Sequence, residues 1–140
     1  MASVARGSFV VDIKPQVDAD ASEGVSLGRM SLDKRFEGDL EATGCGQMLT
    51  AMTPVKGSAG YVAIERVTGT LHSRRGSFVF QHSGSMDKGW QQLSIAVVPD
   101  SGSGELAGLT GTFHLSIVDG QHLYEFEYSL PSQPRGAPDE

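Results

Sequence analysis

The sequence has one cysteine, Cys45, and therefore no means of forming an internal disulfide. It must be held by its own core, and a reducing compartment is the simpler setting for it. Basic residues are scarce: 11 lysines and arginines stand against 17 acids, a net charge of −6. That balance argues against nucleic acid as a partner, because phosphate binding needs a basic face that releases counterions. The basic pairs Lys34-Arg35 and Arg74-Arg75 sit among acids and read as solvated turn and edge charges. No apolar run approaches the roughly 20 residues of a membrane span. The start, MASVARGSFVVDIKP, lacks the apolar h-region of a signal peptide, so a cytoplasmic protein without membrane contact is expected. Aromatics are few, at 7%, and no segment carries a convincing helical period.

What the chain does have is glycine, 18 residues of it, with 39% hydrophobic residues, a composition that suits many short strands and turns. At 140 residues one domain is expected, spanning 1–130, followed by a proline-rich, charged tail at 131–140 that reads as disordered. The organising stretch is 57–84, GSAGYVAIERVTGTLHSRRGSFVFQHSG, read as two long strands joined by a turn at Ser73-Arg74-Arg75-Gly76. Alternation places further strands at 8–17, 26–36, 90–98, 112–118 and 121–130. Asp18 to Gly24 reads as an acidic, structureless loop, and Leu40 to Met52 as a strand bent by glycines. Asp119-Gly120 is a strong hairpin signal, and GELAGLTG at 104–111 reads as a compact turn. A recurrent Gly-Ser/Thr-apolar motif, at Gly7, Gly69, Gly76 and Gly111, reads as a mark of strand starts. About eight strands with short connections predict an all-β fold, a closed eight-stranded antiparallel β-barrel just wide enough to hold one small ligand.

The register of the central hairpin decides which side chains face inward. With a four-residue loop, Leu71 opposes Phe78, Gly69 opposes Phe80 and Val67 opposes His82. One face then carries Glu65, Val67, Gly69, Leu71, Phe78, Phe80 and His82, the other Arg66, Thr68, Thr70, His72, Gln81 and Ser83, as a half-buried sheet requires. A one-residue slip mixes the two faces. In the preferred register Glu65 and His82 lie inward at one end, where desolvation raises a carboxyl's pKa and an imidazolium pulls it back. Such a pair can move protons at neutral pH, so Glu65 and His82 are the candidate catalytic residues. The blander reading makes Glu65 a rim residue paired with Arg66 or Arg29, and His82 a satisfied core histidine. Val67, Phe78, Phe80, Trp90, Tyr124 and Phe126 are the candidate ligand-binding residues, although core packing explains Tyr124, Phe126 and Tyr128 equally well, and Trp90 suits a rim anchor.

The histidines at 72, 82, 114 and 122 show no metal-ligand spacing, with His114 assigned to the outside. The glycines at 102–111 lack the helix and lysine of a phosphate loop. Cys45 has no adjacent base and reads as a buried free thiol. Neither a metal nor a cofactor is expected.

At YVAIERVTGTL (61–71), GSFVFQHSG (76–84), SGSGELAGLTGTF (101–113) and DGQHLYEFEYSL (119–130), the chain resembles a bacterial family of domains of unknown function, DUF3224, over nearly all of Gly7 to Leu130. The resemblance implies an eight-stranded barrel similar to allene oxide cyclase and the dirigent proteins, often a homo-oligomer, a dimer or trimer. Relatives of that shape include cofactor-free cyclases that fold a hydrophobic substrate inside the barrel. No catalytic residue is carried over with it. Three readings stay open: a cofactor-free cyclase or isomerase of a hydrophobic small molecule, which is preferred; a non-catalytic binding or carrier barrel; and a structural barrel with a filled core.

Overall fold

The computed structural model describes residues 2–16 and 20–131. Met1, Val17 at the end of the expected first strand, Asp18 and Ala19 in the acidic loop, and the tail beyond Pro131 lie outside the described residues. The strands are β1 (Ser3–Pro15), β2 (Asp20–Ser22), β3 (Val25–Gly38), β4 (Leu40–Met52), β5 (Ala59–Leu71), β6 (Arg74–Asp87), β7 (Trp90–Val97), β8 (Ser103–Gly104), β9 (Thr110–Val118) and β10 (Gln121–Ser129). Eight of them form an antiparallel ring in the order β1-β10-β9-β7-β6-β5-β4-β3, closed by pairing of β1 with β3. β2 extends the edge beside β3, and β8 pairs with the start of β6. Part of the acidic loop expected to lack structure is thus the strand β2. The glycine-rich 40–52 segment is a strand along its whole length. Among the described residues no helix is long and apolar enough to cross a membrane.

Closure gives the strands an inside and an outside, and the apolar residues choose the inside. All six phenylalanines of the chain are buried and join Tyr124 and Tyr128 in one aromatic cluster. Burying each such ring contributes about 1.5–3 kcal/mol, so a chain poor in aromatics concentrates them where they count. Phe113 stacks on Tyr124 at 5.4 Å and meets Phe80 at 5.0 Å. This cluster fills the half of the barrel nearest the β3–β4 and β5–β6 turns, which Leu40, Leu71, Leu106 and Leu109 close off. Leu106 and Leu109 come from the 104–111 turn, docked by a bond from Arg75 N–H to the Glu105 carboxylate at 2.9 Å and one returned from Glu105 N–H to the Arg75 carbonyl at 2.9 Å. The Tyr124 hydroxyl accepts from Leu40 N–H at 2.9 Å and donates to the Glu37 carbonyl at 2.9 Å, tying β10 to the β3–β4 turn.

The other end stays open. β7 meets β9 through one residue pair, Ala96 with Thr112, so the wall is unzipped from there toward the rim, and Trp90 to Ser94 are exposed.

The β5–β6 hairpin differs from expectation in its turn. His72 and Ser73 have φ of 45° and 70°, a two-residue loop with both residues left-handed, which suits the twist of paired strands. Leu71 therefore opposes Arg74, Gly69 opposes Gly76, Val67 opposes Phe78 and Glu65 opposes Phe80. Each partner lies four residues away from the expected one. An even displacement leaves every side chain on its expected face, so Glu65 and His82 point inward nonetheless. Gly69 is not opposed by Phe80, because the register places Gly76 there; a Cβ at Gly69 would strike the Glu41 carbonyl at 2.2 Å. Gly7 and Gly69 stand inside strands, not at their starts. Cys45 is exposed rather than buried, since it falls on the outward parity of β4.

Candidate active site

Two glycines on β4 create the site. Adjacent strands are about 4.8 Å apart, so side chains on β3 and β5 are normally separated by those of the strand between them. Gly44 opposes Lys34 on β3, and Gly46 opposes Glu65 on β5. With no side chain in the way, Lys34 reaches over β4 to place Nζ 3.2 Å from Glu65 Oε1. Glu65 Oε1 also lies 2.9 Å from His82 Nε2. Glu65 and His82 are diagonal neighbours across the β5–β6 ladder, since Ala63 is the residue opposite His82. Diagonal pairs lie within reach of long side chains. The fourth member, Tyr61, lies two residues from Ala63, its hydroxyl 3.3 Å from His82 Nδ1. A side chain on its partner Gly84 would collide with the Tyr61 ring, at 2.5 Å. That bare position is what lets the ring lie over the neighbouring strand.

The group is deeply buried: Glu65 is 0% exposed, His82 3% and Lys34 8%. Among the described residues Glu65 Oε2 has no hydrogen-bond partner, and it fits the hollow left by Gly44, where a Cβ would be only 2.2 Å away. Burial pulls the Lys34 ammonium below its ordinary range, and the charge and hydrogen bond of Glu65 pull the other way. The ammonium is also flanked by aromatic faces, 4.9 Å from the centroid of Phe9 and 5.7 Å from that of Phe36, which offset part of its lost hydration. Burial pushes the Tyr61 hydroxyl up, helped by the nearby Glu65 charge. Tyr61 is therefore held in its O–H form. An ionised carboxylate only accepts, so His82 Nε2 carries the proton given to Glu65 and Nδ1 is free to accept from Tyr61. The result is a chain Tyr61 to His82 to Glu65, with Lys34 balancing the carboxylate.

All three tyrosines of the chain are held upward, Tyr124 and Tyr128 also chiefly by burial. The fold retains phenolic protons that the unfolded chain releases above pH of about 10. Stability is thus complete below that value and is lost as pH rises through the folded-state range. Phenolate absorbance should stay absent beyond pH 10 and then appear together with loss of β-sheet circular dichroism. Titration in the folded protein near pH 10 would contradict this.

The chain of groups faces a cavity of about 150 Å³ in the open half, lined by Lys34, His82, Tyr61 and His122 among apolar residues such as Leu32, Met48 and Leu115. It adjoins a rim groove of about 300 Å³ through Met48 and Tyr61, which line both. Glu65 lies behind the wall of the cavity. Of the residues expected to bind ligand, Val67, Phe78, Phe80, Tyr124 and Phe126 are buried against one another in the filled half, and Trp90 is 82% exposed at the start of β7. Lys34 corrects its reading as a solvated charge, for it shares its parity with the inward Leu32 and Phe36. Tyr61 likewise shares the inward parity of Ala63 and Glu65. Those parities were the available signals. Glu65 is paired neither with Arg66 nor with Arg29. His114 is exposed, 3.5 Å from Glu127, as expected.

The profile of the family described as "Protein of unknown function (DUF3224)" matches residues 5–128. The chain is similar to a crystal structure of a protein of unknown function from the DUF3224 family of Shewanella oneidensis MR-1, at 51% identity. That similarity covers 94% of this chain and 100% of that one, with a TM-score of 0.89. No curated protein matches.

Proposed function

The chain belongs to the DUF3224 family, and from that premise we propose that the open half of its barrel takes up a small apolar molecule bearing one polar group and isomerises or cyclises it without a cofactor. The observation that carries this reading is the Tyr61–His82–Glu65 chain at the wall of an otherwise apolar cavity. His82 Nδ1 is the base. Its 3.3 Å bond to Tyr61 is the longest in the chain, and it is there that a substrate would insert, freeing the Tyr61 hydroxyl to donate to the substrate's oxygen. Glu65, behind His82, is a positioning residue that fixes the imidazole tautomer and balances the charge His82 gains. A proton taken from one carbon and returned to another gives an isomer, and the apolar walls hold the chain folded for ring closure. The family resemblance implies a barrel similar to allene oxide cyclase and the dirigent proteins, a shape whose members include cofactor-free cyclases that fold a hydrophobic substrate, and this reading extends that implication.

Proton abstraction in the cavity can be measured with 5-nitrobenzisoxazole, a small apolar probe whose ring opens when a base removes one proton. We expect turnover that falls at least ten-fold in His82→Gln, with circular dichroism unchanged. Binding of the probe without any His82-dependent turnover would leave a carrier, and the catalytic reading would be lost.

A further inference from the structure

Lys34 has no part in the proton chain beyond balancing Glu65, yet its side chain lines the same cavity. A lysine is a costly way to neutralise one carboxylate here, because His82 already touches the same oxygen. Its side chain is only 5% exposed, and Nζ lies 4.9, 5.7 and 5.9 Å from the ring centroids of Phe9, Phe36 and Phe113. Burial weakens the hold of such an amine on its proton, against the pull of Glu65 and the aromatic faces, and once deprotonated it is a nucleophile. The groups facing it are Glu65 from β5, His82 from β6, and Tyr61 and His122 on the cavity wall. One can accept a proton and another can donate one.

We infer that Lys34 forms a Schiff base with the carbonyl group of an apolar aldehyde or ketone held in the barrel mouth. This rests on the proposed binding of an apolar molecule there and names its polar group. Nζ first gives a proton to Glu65, and its freed lone pair attacks the carbonyl carbon, forming the C–N bond, while the carbonyl oxygen takes a proton from the Tyr61 hydroxyl. Nζ then returns a second proton to Tyr61 through His82. The new hydroxyl group takes the proton held by Glu65 and leaves as water with the C–O bond, giving a protonated imine beside the Glu65 carboxylate and one molecule of water. No oxidant or reductant is needed. The protonated imine also acidifies the adjacent C–H, the proton that His82 is placed to remove. The direction of the Lys34 shift, downward through burial and opposed by Glu65, makes its proton easier to remove than that of an exposed lysine.

The test is to incubate the full chain with benzaldehyde and sodium cyanoborohydride at neutral pH, then map benzyl adducts by peptide mass spectrometry. The expected result is one dominant adduct at Lys34, at least ten-fold above those at the exposed Lys14, Lys56 and Lys88, and absent from Lys34→Met. Adducts spread over the three exposed lysines, with Lys34 unmodified, would overturn the proposal, since the mapping is made on the unmutated chain. Failure here alongside His82-dependent opening of 5-nitrobenzisoxazole removes the imine and leaves the proton-transfer reading intact. A Lys34 adduct without such opening does the reverse.

Discussion

Glu65→Gln is expected to lower the free energy of unfolding at neutral pH by about 3 kcal/mol, within the range found when one partner of a buried ion pair is removed. The amide keeps an acceptor for His82 Nε2 but leaves the Lys34 ammonium, now 3.2 Å from a neutral group, without its counter-charge. Neutralising that lysine sets the ceiling. Moving a proton off a group of ordinary pKa 10.5 at neutral pH costs about 5 kcal/mol, at 1.36 kcal/mol per unit. The sign of the pH dependence follows. Without the Glu65 charge that raises it, the folded-state pKa of Lys34 falls further below that of the unfolded chain, so the unfolded state binds more protons. Stability therefore rises with pH between the folded and unfolded pKa values, and the deficit shrinks toward pH 10. Adding Lys34→Met, of similar length and without charge, should restore most of the loss, because a vacated pair costs less than a broken one. Urea unfolding of the two single variants and the double variant, at neutral pH and near pH 9, reads all of these terms. A double variant no more stable than Glu65→Gln would show that the Lys34–Glu65 pair is not what holds this part of the barrel.

The same residues show how far the sequence could be read. The two faces of the 59–87 hairpin were legible although its turn was not. His72-Ser73 lacks the glycine or asparagine that normally announces a left-handed two-residue loop, but the resulting displacement is even and side-chain parity survives it. The barrel was legible for a similar reason: strand alternation repeats through the whole chain, and closing the sheet on itself pairs edges that would otherwise be exposed. Lys34 was not, because a lysine beside an arginine and an aspartate carries a strong prior of exposure, and only its parity with Leu32 and Phe36 spoke otherwise. Its partner lies two strands away, across Gly44 and Gly46, and no local pattern encodes a contact made over an intervening strand. Read locally, those glycines signify a bend. In the fold they are an absence of side chains that two charged residues fill from either side. The division of the barrel into a filled half and an open half was equally hidden, since it depends on the single-pair seam between β7 and β9.

That account of the two glycines makes them separable by mutation. A Cβ at Gly46 would lie 2.0 Å from the Ile64 carbonyl oxygen and 2.7 Å from the Glu65 Cα. Both are backbone atoms of β5, and relief requires parting β4 from β5 along their ladder. Gly46→Ala should therefore cost about 3 kcal/mol or more, at or beyond the upper end of over-packing penalties. A Cβ at Gly44 instead meets the Glu65 side chain, at 2.2 Å from Oε2, 3.1 Å from Cδ and 3.3 Å from Cγ. The carboxylate can swing away, leaving the ladder intact but drawing Oε1 off Lys34 and His82. Gly44→Ala should then lose about 1–3 kcal/mol and lose the His82-dependent activity with it. The discriminating measurement adds Glu65→Asp, whose carboxylate is one methylene shorter and withdraws from the added methyl group. It should recover at least half of the stability lost in Gly44→Ala and none of that lost in Gly46→Ala. Equal recovery in both would mean that Glu65 packs against the two glycines in the same way, and the asymmetry argued from the backbone of Ile64 would fall.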